Sequence, residues 1–155
     1  MDEFTPRGES VYESFKKHFQ DHGFHFEARD EDHVITATFG GDDLPMPLLI
    51  RVVDDREVVK LISSIPMKIP EEKRVDAAVA ITAINFQLLN GCFQMDLSDG
   101  EVRYSMAQSF CESDVNEEMI RYLIGVTINT TDEYNDRFFM LGKGLMSLDQ
   151  FLEAV

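Results

Sequence analysis

The chain has 155 residues, enough for one domain with a sizeable core: 44% are hydrophobic and twelve are Phe. Asp and Glu number 29 against 14 Lys and Arg, for a formal charge of −15 at pH 7. Such a charge repels phosphate backbones and anionic lipid, which argues against a nucleic-acid or membrane-surface role. It favours solubility or a basic partner, and an acidic rim would make association salt-sensitive.

Met1 to Glu9 is polar and acidic and reads as a flexible terminus ahead of a single domain over residues 10–155. No leader pattern or membrane-length apolar run is seen, and two cysteines, Cys92 and Cys111, make no disulfide framework, so a reducing cytoplasm is the expected location. Ser10-x-x-Glu13 resembles a capping box, and Val11, Tyr12, Phe15 and Phe19 give the following helix an aromatic face that ends at Gly23.

Phe24 to Ala28 and Val34 to Phe39 read as strands around Arg29-Asp30-Glu31-Asp32. After the break at Gly40 to Asp43 comes a second pair, Pro47 to Val53 and Val58 to Ser64. A turn centred between Asp55 and Arg56 pairs Ile50 with Leu61 and Val52 with Val59 on one face. The other face then carries Leu49, Val53, Val58 and Ile62, interrupted by Arg51 and Lys60, so this ribbon is half apolar on both sides.

Ile65 to Pro70 is an extended connector, because residues before proline avoid the helical region. Pro70 to Asn90 then reads as a helix with two apolar stripes at about 100° per residue. One stripe holds Val75, Val79, Thr82, Phe86 and Leu89; the other holds Ala77, Ile81, Ile84 and Leu88. A sheet contact buries one such stripe, so the second needs another helix or a second subunit. Asn85 lies between them, an amide expected to fix register against a neighbouring helix or across a dimer.

Asp99-Gly100 suits a two-residue type I′ turn, which would pair Phe93 with Met106, Met95 with Tyr104, Leu97 with Val102 and Asp96 with Arg103. Ser113 or Asp114 then caps a helix whose apolar line runs from Met119 to Leu141, with room for a kink or break near Thr130. Gly142-Lys143-Gly144 stops it, and Ser147-x-x-Gln150 caps a last turn over Leu148 to Ala154. This order predicts an α+β fold, an antiparallel sheet with helices packed on one face.

Candidate chemistry is sparse. His18 and His22 share a helix face, but no Cys or His-Glu-x-x-His pattern accompanies them and Gly23 intervenes before His25, so surface histidines are expected rather than a metal site. The acidic clusters sit at turns, where Asp caps backbone amides, and none has calcium-loop spacing. Cys92 and the serines lack a basic partner or a G-x-S-x-G context. No catalytic residue, metal or cofactor is therefore expected.

Ile84-Asn85-Phe86-x-x-x-Asn90-Gly91-Cys92-Phe93-x-Met95-Asp96-x-x-Asp99-Gly100-Glu101-Val102-Arg103-Tyr104 resembles the YbjN family of bacterial proteins. The closing stretch Asp132-x-Tyr134-x-x-x-Phe138, Gly142-x-Gly144, Ser147 and Phe151-Leu152 is similar to that family's closing pattern. The resemblance implies a type III secretion chaperone-like fold that usually dimerises, a role as sensory transduction regulator, and no catalytic residues. The resulting expectation is a cytoplasmic, non-enzymatic adaptor, regulator or chaperone-like protein, a homodimer that binds a protein segment through Leu49, Val53, Val58, Ile62, Ile81, Ile84 and Leu88. The rival is a small-ligand sensor or an enzyme of unrecognised type, with an apolar pocket between sheet and helices.

Overall fold

The computed structural model describes residues 4–155. The part of the expected flexible terminus at 1–3 lies outside the described residues. Helix α1 spans Pro6–Asp21. It begins before Ser10 because Thr5 takes the N-cap position, its hydroxyl accepting from Gly8 N–H at 3.1 Å, and Pro6 supplies a first residue with no amide to satisfy. Asp54 tethers this start by accepting from Thr5 N–H and Thr5 Oγ1.

Strands β1 (Glu27–Arg29), β2 (Val34–Phe39), β3 (Met46–Val53) and β4 (Val58–Lys68) follow as an antiparallel series. The β3–β4 register pairs Ile50 with Leu61 and Val52 with Val59, as counting from the turn predicts. Asp-Arg cannot make a two-residue type I′ turn readily; the chain instead winds Asp54–Arg56 into a 3₁₀ turn and places Glu57 in the left-handed region. A second 3₁₀ turn at Glu71–Lys73 leads into α2 (Arg74–Gln87), shorter than the 70–90 expected because Leu88 is already extended.

Strands β5 (Cys92–Met95) and β6 (Glu101–Ser109) form the hairpin, with a register two residues from the expected one. Phe93 pairs with Tyr104 and Gln94 with Arg103. A type I′ turn needs positive φ at both central residues, and only Gly100, at φ +81°, has it. Asp96 and Asp99 instead spend their carboxylates on the loop: Asp96 accepts from Ser98 N–H at 2.8 Å, and Asp99 accepts from Glu101 N–H at 2.9 Å. A shift of two keeps every side chain on its face, so the apolar pairing survives without Leu97, which stays exposed in the loop.

Helix α3 (Glu117–Gly142) is continuous through Thr130 and capped by Asn116 rather than Ser113 or Asp114. Thr127 and Thr131 donate their hydroxyls to Leu123 and Thr127 carbonyls, each at 2.7 Å, which lets buried threonines remain helical. Helix α4 (Leu148–Glu153) closes the chain with the expected Ser147–Gln150 capping box.

The sheet order is β1-β2-β3-β4-β6-β5. Helix α3 lies over β4, β6 and β3, with α1 towards β3, α2 towards β5, and α4 packed against α2 and α3. All helices cover one face, and the core between contains Phe15, Phe19, Ile50, Leu61, Phe93, Tyr104, Phe138 and Phe151. Fully burying each of these large side chains contributes about 1.5–3 kcal/mol. The fold is α+β, as the element order predicts. No helix among the described residues is long and apolar enough to cross a membrane.

Candidate functional site

Strand alternation sends Leu48, Ile50, Val52, Val59 and Leu61 into the core, so their neighbours line the opposite, uncovered face of the sheet. The registers arrange that face in rows. One runs Arg29, Val34, Arg51, Lys60 and Ala107 across five strands; the next runs Glu27, Thr36, Leu49, Ile62, Ser105 and Cys92. Val53 pairs with Val58 at the end nearest the 3₁₀ turn.

The face is chemically unlike the rest of the chain. Arg51 and Lys60 stand directly opposite one another on adjacent strands, an arrangement of like charges that costs stability. Arg103 is nearby in the same groove lining. Among the described residues none of the three forms an ion pair; Arg103 donates from Nε to Gln94 Oε1 at 3.2 Å. Apolar Leu49 and Ile62 lie in the same lining, and a groove of about 850 Å³ extends from them past Phe26, Thr36 and Pro47. In a chain of net charge −15, this is a local basic and apolar patch able to bind an anionic group beside an apolar one.

The structure brings Leu49, Val53, Val58 and Ile62 together, all half-buried on this face. It does not join them to the residues expected on the central helix. Ile81 and Ile84 are buried in the core and Leu88 packs against its margin. The stripe of α2 left in solvent is the other one: Val75 and Val79 are exposed, Phe86 is 89% exposed and Leu89, just past the helix, is 98% exposed. Ala77 and Ala80, both fully buried, explain the choice, since small side chains let the helix approach its neighbours closely. The overall charge points to a basic partner, but the uncovered sheet face has the opposite local charge; a net charge averages over surfaces that a partner meets one at a time. Arg51 and Lys60 as a facing pair were derivable from the β3–β4 turn count, where they read only as interruptions.

Other ionisable clusters lie elsewhere. Tyr12 donates its hydroxyl to Asp30 at 2.6 Å and Lys16 donates to the same oxygen at 3.0 Å, which holds the Asp30 carboxyl below the usual carboxylate range. Burial, with Asp30 opposite, pushes the Tyr12 hydroxyl well up. Burial likewise pushes Tyr104 up to about 12, and its hydroxyl donates to Asn90 O at 2.7 Å. The Glu57 carboxylate beside Cys111 raises that thiol, the opposite of nucleophile activation. His18 is not a surface histidine: it is 4% exposed, with Nδ1 2.7 Å from Glu117 Oε1, and its ring lies 4.2 Å from that of His22. These three are the described residues whose ligand atoms converge closely enough to hold a metal ion.

A family model described as "Putative bacterial sensory transduction regulator", YbjN, matches residues 12–140. Comparison with curated proteins gives no match. Among solved structures, the crystal structure of YbjN from E. coli, "a putative transcription regulator", superposes with a TM-score of 0.59 at 13% identity, over 98% of this chain and 94% of that one. At that identity the likeness is one of fold.

Proposed function

The chain belongs to the YbjN family, and on that premise we propose that it is a non-enzymatic adaptor or regulator whose uncovered sheet face binds an acidic, apolar-containing segment of a partner protein. The observation that carries this reading is the patch of Arg51, Lys60 and Arg103 around Leu49 and Ile62. An extended segment with alternating acidic and apolar side chains matches that spacing, and its carboxylates would relieve the repulsion between Arg51 and Lys60. Among the described residues Asp32 is the one carboxylate in the lining of that patch, against Arg29, Arg51, Lys60 and Arg103, while Glu27 and Glu101 border the adjoining groove.

Selection of random displayed peptides against the full chain tests this. Enriched peptides carry Asp or Glu beside Leu, Ile or Phe, and their binding weakens as salt rises. Arg51→Glu with Lys60→Glu abolishes it. No enrichment, basic consensus sequences, or equal binding by the double variant would overturn the reading.

A homodimer fits the same proposal. The stripe of Val75, Val79, Phe86 and Leu89 is apolar, exposed and remote from the core, and a second copy would cover it. The volume of the sheet groove supports a second reading, a small-ligand sensor binding an anionic amphiphile. Thermal stabilisation by single small carboxylates, lost in Leu49→Asp, with no peptide enriched, would favour it.

A further inference from the structure

We propose that His18, His22 and Glu117 bind one transition-metal dication of the zinc class, joining the end of α1 to the start of α3. The sites are 99 residues apart in sequence for the His18–Glu117 pair, and the fold brings one ligand atom from each of the three residues within 4.8 Å of the others. Ligand atoms around one tetrahedral zinc lie about 3.3 Å apart, given metal–nitrogen bonds of about 2.0–2.1 Å. His22 and Glu117 are exposed and free to close the remaining distance, while buried His18 is the fixed point.

The hydrogen bonds show which ring nitrogen of each histidine faces the site. His22 Nδ1 lies 2.8 Å from His18 O, and a carbonyl only accepts, so Nδ1 carries the proton. His18 Nδ1 faces the Glu117 carboxylate, which in its ionised form also only accepts. His22 therefore presents its Nε2 lone pair, which takes no hydrogen bond among the described residues, while the His18 atom at Glu117 is Nδ1, so the ion would take the place of the proton between His18 Nδ1 and Glu117 Oε1. His22 has an arrangement common among metal-binding histidines, with one ring N–H given to a carbonyl and the other nitrogen left for the ion. Phe24, whose ring stacks on His22 at 5.7 Å between centroids and also approaches His18, screens the group on one side. Two imidazoles and a carboxylate suit zinc, cobalt(II) or nickel(II) better than calcium or magnesium, which prefer oxygen.

Glu117 serves as a ligand through its carboxylate, the one contribution from α3, and its loss is expected to weaken binding. The ion would pin α1 to α3 and stabilise the folded chain as its concentration rises.

The test is titration of the untagged full chain with Zn²⁺ by calorimetry and with Co²⁺ by visible absorption, in a buffer that does not chelate. One ion per chain is expected, with cobalt bands of a four- or five-coordinate site and a raised melting temperature. His22→Ala abolishes binding, Glu117→Gln weakens it about 10–100-fold, and His25→Ala leaves it unchanged. Circular dichroism establishes that the variants fold; all three altered side chains are exposed. No uptake by the wild-type chain, or wild-type affinity in His22→Ala, would overturn the proposal. The readout is the metal itself, independent of peptide binding on the sheet.

Discussion

Asn85 holds Phe93 by both polar groups of its backbone: Nδ2 donates to Phe93 O at 3.0 Å and Oδ1 accepts from Phe93 N–H at 2.8 Å. These groups point away from β6, so a side-chain amide on α2 does the work of a further strand at this edge of the sheet. The amide expected to face another helix or a second subunit instead secures the hairpin. Replacing Asn85 with Ala leaves a half-buried donor and acceptor unpaired and is expected to cost about 1–3 kcal/mol. Urea denaturation measures this, and Phe93 amide exchange should accelerate in the variant.

Gly100 cannot take a side chain. Its φ is +81°, and an added Cβ would collide with the backbone of Ile69, whose N–H donates to Gly100 O at 2.8 Å. Gly100→Ala should destabilise by about 2–4 kcal/mol through left-handed strain and displaced backbone. Thermal melts of the two proteins check this; an unchanged midpoint would contradict it.

Phe86 contributes little to the fold of one chain and is expected to contribute to pairing of two. Phe86→Asp should change unfolding free energy by no more than about 0.5 kcal/mol. In sedimentation velocity the wild-type chain should run as a dimer and the variant as a monomer. A wild-type monomer at micromolar concentration would remove the proposed contact.

Stability should fall in acid partly through Asp30. Its carboxyl titrates below the ordinary carboxylate range because Tyr12, then Lys16, donates to the ionised form. A group with a depressed folded value adds stability above its unfolded value, near pH 4, and loses it as pH falls through the folded one. The difference in urea midpoint between the wild type and Asp30→Asn should therefore be present at pH 7 and shrink below about pH 4. A difference independent of pH would exclude the carboxylate as its source.

Much of this architecture is legible in the sequence where a local rule has few competitors. The β3–β4 register follows from alternation and a centred turn, and the Ser147–Gln150 box marks α4. The β5–β6 register was two residues away because Asp96 and Asp99 use side-chain caps that outcompete the two-residue turn. That α2 is apolar on two sides is plain from its spacing, but which side is covered depends on how closely the sheet and α4 can approach; Ala77 and Ala80 were the available sign. The Arg51–Lys60 pair needed only the β3–β4 pairing to appear, whereas Arg103 joins it through the β4–β6 pairing. The His18–Glu117 contact had no local signal, since only the folded sheet sets α1 beside α3.

Asn85 occupies the outward backbone groups of Phe93 and so blocks the middle of the β5 border; the opposite border of the sheet is β1. There the fold offers just Glu27–Arg29, three exposed residues, a ledge too brief to template a long ribbon. Both outer strands are short, four residues at β5 and three at β1, which leaves little length for one molecule to grow upon another by strand addition.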